Sequence, residues 1–230
     1  VLLAANSKEQ AKISFEMCQA LVRQLDSTEK IIKPYRNEIK FFKTNSKMKV
    51  LSSDDSKLDG YNCSFGLIDE YHSAPNSKVR DVIKSSQGMR KNPHLCTITT
   101  AGFNKSYPCY KLREYAIEVL HNVKHDDSLF AAIYSMDIDD DWTDENNWIK
   151  CTPNLDVTVS KEFLKSQVQQ AINNPSDEVG VKTKNLNLWC DTEQIWIPSI
   201  RILPQIQKID LDDFVNREDY QTYVGVDLAA

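Results

Sequence analysis

Strand-like and helix-like stretches alternate through the first 135 residues of this chain, and two of the strand-like ones, FGLIDE and HLCTITT, finish on polar residues. VLLAA at positions 1–5 is apolar throughout, and from Ser7 a capped amphipathic helix is predicted to about Leu25, with Ala11, Phe15, Cys18 and Val22 at helical spacing. Two β-prone stretches, EIKFF and MKVLSSDD, follow, and Leu58-Asp59-Gly60 turns the chain into an apolar strand over 63–68. Pro75-Asn76-Ser77 opens a second helix to about Gly88, Pro93 precedes the strand HLCTITT, a third helix covers about 108–123, and SLFAAIYSM at 128–136 reads as a further strand. This alternation predicts βαβ units: an α/β fold with a mainly parallel sheet and flanking helices. Functional residues of such sheets collect where the strands end.

After Met136 the texture changes. Asp137-Ile138-Asp139-Asp140-Asp141-Trp142-Thr143-Asp144-Glu145 is acidic, yet it lacks the glycine and the closing glutamate that a calcium loop needs, so it reads as a solvated helix entrance. Positions 161–173 are helical, among short, irregular apolar patches, as expected of a small mixed linker subdomain. The organisation expected is 1–135, 136–219 and a truncated third region at 220–230.

Composition narrows the classes. No apolar run approaches the ~20 residues that span a bilayer, which predicts a soluble, unsecreted protein without a membrane partner. The six cysteines show neither C-x-x-C pairing nor zinc-like spacing. Net charge is −5, but residues 1–50 hold ten Lys/Arg against five Asp/Glu, and 101–230 hold twelve against twenty-two. A local phosphate-binding face at the front is compatible with this, with solvated lysines as the simpler reading. Both termini are apolar and read as the insides of secondary-structure elements, so the chain is expected to be a segment of a longer protein.

The most chemical stretch is FGLIDEYH, 65–72, an apolar run that stops on adjacent carboxylates, Asp69 and Glu70. Strand side chains alternate in direction, so neighbouring carboxylates at a strand tip can take different roles. An apolar strand closed by Asp-Glu is the pattern of a Walker B motif, in which the Asp holds magnesium and the Glu polarises the water that attacks the γ-phosphate. Some thirty residues on, Thr99-Thr100-Ala101-Gly102 would bring hydroxyls and a flexible turn to the same edge. No glycine of the chain begins or completes G-x-x-x-x-G-K-[ST], so either the ATP reading fails or the phosphate loop lies upstream of Val1.

Taken in order, VLLAANSKEQAKISFEMCQALV, LDGYNCSFGLIDEYHSAP, the Arg90-x-x-Pro93 lead into CTITTAG, the run IYSMDIDDDWTDENNWIKCTPNLDVTVSKEFL and the final YVGVDLAA resemble the large terminase subunit of tailed bacteriophages. The resemblance covers nearly the whole chain. It implies an incomplete P-loop NTPase-like domain of the ASCE type, a linker, and the first strand of an RNase H-like nuclease. It also implies an ATP-driven motor that moves double-stranded DNA into a procapsid and cuts it. Position by position, Asp69 matches the magnesium-holding aspartate, Glu70 the catalytic glutamate, Thr99, Thr100 and Gly102 the coupling motif, and Asp227 the first metal-binding aspartate of the nuclease.

The cofactors implied are ATP with Mg2+, and Mg2+ or Mn2+ at the nuclease site. The partners implied are double-stranded DNA, the small terminase subunit, the portal protein and copies of the same chain in a ring, in the cytoplasm of an infected bacterial host. The 230 residues alone are expected to be inactive. His72 reads as structural, and Arg90 is a candidate for a phosphate contact in its own or a neighbouring subunit. Two alternatives stand beside this reading: a superfamily 2 helicase, since DEYH resembles a DExH box, and a non-catalytic DNA-binding or assembly module of ATPase-like architecture.

Overall fold

The computed structural model describes residues 1–52 and 60–191, and within it Val1–Gln194 form one compact unit. Asp227, the YVGVDLAA end and the proposed region 220–230 lie outside the described residues. Six strands, β1 (Leu2–Ala5), β2 (Ile32–Pro34), β3 (Glu38–Phe41), β4 (Ser46–Ser52), β5 (Phe65–Ile68) and β6 (His94–Thr97), form one sheet in the order β2-β3-β4-β1-β5-β6. The helices are α1 (Lys8–Leu25), α2 (Lys78–Ser85), α3 (Pro108–Leu120), α4 (Trp148–Cys151), α5 (Lys161–Asn173) and α6 (Glu178–Lys184). Strands β4, β1, β5 and β6 run parallel, whereas β2 and β3 add an antiparallel edge, so three of the five pairings are parallel as predicted.

The first βα unit shows how the sequence builds this layer. Ser7 Oγ accepts the Gln10 amide at 3.2 Å while Gln10 Oε1 accepts the Ser7 amide at 3.3 Å, a capping box that fixes where α1 starts. Strand β1 is central and buried on both faces, which is why it reads as an unbroken apolar run. Leu3 joins Phe15 of α1 and Ile39 on one side of the sheet. Leu2 and Ala4 point the other way, into a cluster with Ile68, Tyr71, Ile83 and Cys109 under α2 and α3. Gly66 permits that second packing: a Cβ there would lie 2.4 Å from Ile83 Cγ2.

A second core gathers Met136, Trp148, Leu164, Val168, Ala171, Val181 and Leu186. Leu164, Val168 and Ala171 recur at helical spacing on α5, whose start is capped by Ser160 Oγ accepting the Phe163 amide at 3.2 Å. The acidic stretch leads into α4 as expected. Asp137 and Asp140 each lie 2.8 Å from Lys150 Nζ, and Asp141 and Asp144 accept from Thr143 and Asn146. Among the described residues, no group of three or more His, Cys, Asp or Glu could hold a metal ion, and no helix is long and apolar enough to cross a membrane.

One predicted element is corrected. Residues 128–136 join no ladder among the described residues, with Phe130 91% exposed and Met136 3% exposed. An apolar, β-prone run suits a strand, but a strand also needs a neighbour about 4.8 Å away to pair with. Instead, the Tyr134 carbonyl accepts from Asn187 Nδ2, and Ser135 Oγ donates to the Asn187 carbonyl at 2.8 Å.

Candidate active site at the strand ends

Asp69 continues the line of β5, with its amide donating to the Ala4 carbonyl at 2.8 Å. Its Oδ1 accepts the Glu70 amide at 2.9 Å, and Ser14 Oγ of α1 donates to Oδ2 at 3.4 Å. Glu70 then breaks out of the strand with φ 52°, in the left-handed region that a side chain with a Cβ rarely adopts. A short 3-10 turn, Tyr71–Ser73, holds it there: Ser73 donates to the Glu70 carbonyl through both its amide, at 3.1 Å, and its hydroxyl, at 2.8 Å. Tyr71, 3% exposed, anchors the turn in the core. The divergence of the two carboxylates therefore comes from a left-handed turn, where strand alternation was the expectation. Such strain is retained where the surroundings over-determine it, and it concentrates at functional positions.

The Glu70 carboxylate is unusual in its bonding. Oε2 is buried and receives no hydrogen bond, although His72 Nδ1 lies 3.1 Å away, within ion-pair distance but without hydrogen-bond alignment. Burial pushes the His72 imidazole below its ordinary pKa; the Glu70 charge opposes that shift and Lys184 adds to it. The imidazole is thus held towards its neutral form beside the glutamate.

Strand β6 brings the second cluster to the same sheet edge. The Ile98 amide donates to the Ile68 carbonyl at 2.9 Å, extending the parallel register of β5 and β6 to their ends. Thr99 Oγ1 accepts the His72 amide at 2.9 Å and lies 3.2 Å from His72 Nδ1, while Thr100 Oγ1 lies 3.5 Å from the same nitrogen. Asp69, Glu70, His72, Thr99 and Thr100 therefore form one constellation. Gly102 sits behind it at close quarters: a Cβ would lie 3.1 Å from Trp189 Cζ3 and 3.3 Å from His72 Cβ.

Arg90 falls elsewhere. Its Nη2 donates to the Asn62 carbonyl at 2.8 Å, in the loops that lead into β5 and β6, so it stands at the strand-start edge and cannot reach a phosphate at Glu70 of its own subunit. Sequence reasoning missed Ser14, inside a helix and 55 positions from its partner, and it missed Asn187, which stands outside the constellation and whose carboxamide accepts the Ala101 amide behind it at 2.6 Å. His72, read as structural, holds Thr99 through its amide and lies beside it through its ring.

The donor set suits a hard cation. A carboxylate with a hydroxyl alongside fits magnesium, which keeps several waters and takes one or two carboxylates together with substrate phosphates. Glu70 Oε2 receives no hydrogen bond, so it keeps capacity to accept one from a proton donor, as a water-activating carboxylate must.

Comparison with known proteins gives the family and the fold. The family model described as "Terminase large subunit, ATPase domain" matches residues 1–118, and "Terminase large subunit, endonuclease domain" matches 123–230. Protein YmfN of Escherichia coli (strain K12) is 38% identical over 138 residues, 60% of this chain and 30% of YmfN's length, so the chain spans under a third of that relative. The crystal structure of the HK97 bacteriophage large terminase superposes with a TM-score of 0.70 over 82% of this chain and 39% of that one. At 23% identity this likeness carries the α/β fold, and none of these matches favours a helicase. The chain belongs to the terminase large subunit family.

Proposed function

We propose that the chain is a segment of a viral DNA-packaging motor, in which ATP hydrolysis drives double-stranded DNA into a procapsid and is coupled to endonucleolytic cutting. The observation that carries this is the meeting of Asp69, the strained Glu70 and Thr99–Thr100 at one strand-end edge. Asp69 serves as the magnesium-holding carboxylate, aided by Ser14. Bound with ATP, magnesium supplies charge neutralisation at the phosphates. Glu70 orients the attacking water and takes its proton, from a position the left-handed turn fixes in advance. Thr99, Thr100 and Gly102 form the coupling segment, packed directly against the Glu70 turn. Asp227 is assigned to the nuclease metal site, with Mg2+ or Mn2+.

Residues 1–135 are taken as the ATPase region, 136–219 as the linker and 220–230 as the start of the nuclease; the separate hydrophobic core that begins at Met136 supports the first boundary. Small terminase subunit, portal protein and a homo-oligomeric ring complete the assembly, in the host cytoplasm. Full-length protein given magnesium, ATP and double-stranded DNA is expected to release phosphate and cut the DNA. Failure of both activities would reject this reading in favour of a non-catalytic DNA-binding or assembly module.

A further inference from the structure

The coupling segment has two ends, and they are held by different parts of the chain. Its front, Thr99, is bonded to the Glu70 turn through the His72 amide at 2.9 Å. Its back is bonded to residues 187–190: the Ala101 amide donates to Asn187 Oδ1 at 2.6 Å, and the Cys190 amide donates to the Gly102 carbonyl at 3.2 Å. One residue, Thr100, separates the two attachments. Asn187 faces a third partner as well, since its Nδ2 donates to the Tyr134 carbonyl and its own carbonyl accepts Ser135 Oγ at 2.8 Å. A carboxamide can accept and donate at once, which an acid or an aliphatic side chain of that size cannot do. Its backbone is left-handed, φ 53°, a conformation asparagine tolerates better than most residues.

Ala101 is 2% exposed, so leaving its N–H unpaired is costly and the bond to Asn187 is expected to persist as the segment moves. On the Thr100 side a crevice of about 240 Å³, lined by Phe163, Lys184 and Asn187 among others, leaves room for displacement. Asn187 directly precedes Leu188, which packs against the second core, and follows Leu186, which is part of it. The bonded chain thus runs from Glu70 through His72, Thr99 and Ala101 to the elements around Met136 and Trp148.

We infer that Asn187 is the positioning residue that transmits the nucleotide-dependent movement of Thr99–Gly102 to the second core, and so sets how much DNA moves per ATP hydrolysed. This rests on the function proposed above. Asn187 touches none of the residues assigned to ATP chemistry, so its loss should uncouple the motor and leave hydrolysis running.

The test uses the full-length protein in a packaging reaction. Asn187→Gly deletes the carboxamide without left-handed strain; Asn187→Asp keeps the acceptor for Ala101 and loses the donor to Tyr134. In Asn187→Gly the kcat and KM for ATP should stay near wild type while DNA packaged per ATP falls about 5-fold, within the range single residues exert on coupling between sites. Asn187→Asp should show a smaller loss of the same kind. Hydrogen exchange adds a readout independent of packaging. Binding of a non-hydrolysable ATP analogue should change protection of both 99–102 and 186–190 in the wild type, and of 99–102 alone in Asn187→Gly. Wild-type DNA per ATP in both variants, or a fall in kcat proportional to the packaging loss, would overturn the inference alone. A wild-type protein without ATP turnover would overturn the functional reading and the inference together.

Discussion

The His72 amide donates to Thr99 Oγ1 at 2.9 Å, tying together two strand-end turns that are 27 residues apart in the chain. Thr99→Val removes this acceptor while preserving shape, and with it the hydroxyl's exposed donation to the neighbouring Thr100 carbonyl at 2.9 Å and a long Cys109 Sγ contact at 3.9 Å. Thr99→Val is expected to lower stability by about 0.5–1.5 kcal/mol, the usual net value of one hydrogen bond, and Thr99→Ser to retain most of it. Urea unfolding of both variants measures the difference.

Gly66 gives a sharper effect. A methyl group at this position would enter Ile83 Cγ2 space at 2.4 Å, beneath a helix held by a buried cluster. Gly66→Ala should cost about 1–3 kcal/mol by overpacking. Combined with Ile83→Ala, which makes room for the new methyl, it should cost less than the two single changes added, as contacting residues do.

Cys109 carries a pH signature. Burial pushes its thiol up to about 11 from the ordinary value. The native state therefore keeps a proton that the unfolded chain releases above about pH 8.5, so the stability this thiol contributes is full below that pH and is lost as pH rises towards 11. Native protein at pH 8 should leave Cys109 unalkylated while the half-buried Cys18 and Cys96 react, and mass mapping of the labelled thiols tests this.

For Asp69 the expected consequence is metal dependence. Asp69→Asn keeps acceptance from Ser14 and Glu70 possible through one oxygen, but it removes the charge that attracts the cation. In full-length protein the magnesium concentration for half-maximal ATP turnover should rise about 10-fold, read from magnesium titrations at saturating ATP.

Much of this arrangement was legible from local pattern. The Ser7–Gln10 capping box, the doubly buried run of β1 and the abrupt stop after Ile68 are signals carried by adjacent residues, and each landed where it was read. Arg90 could have been placed from topology: it follows a helix and precedes a parallel strand, which puts it at the strand-start edge. The left-handed Glu70 was hidden because the burial of Tyr71 that anchors its turn is a tertiary fact, and the local Ser73 bonds that close the turn leave no mark on a glutamate in the sequence. Asn187 was hidden for a similar reason, since its partner Ala101 is 86 positions away and asparagine alone announces only a tolerance for turns. Residues 128–136 misled because an apolar, β-prone run says nothing of a neighbour to pair with.

Glu70 is assigned as the water-activating carboxylate, and Glu70→Gln in the full-length protein isolates that role. The amide keeps the size and the left-handed turn but cannot take a proton from water. ATP turnover at saturating ATP and magnesium should fall about 10²–10⁴-fold, with nucleotide affinity unchanged in equilibrium binding. Near-wild-type turnover in Glu70→Gln would contradict the account.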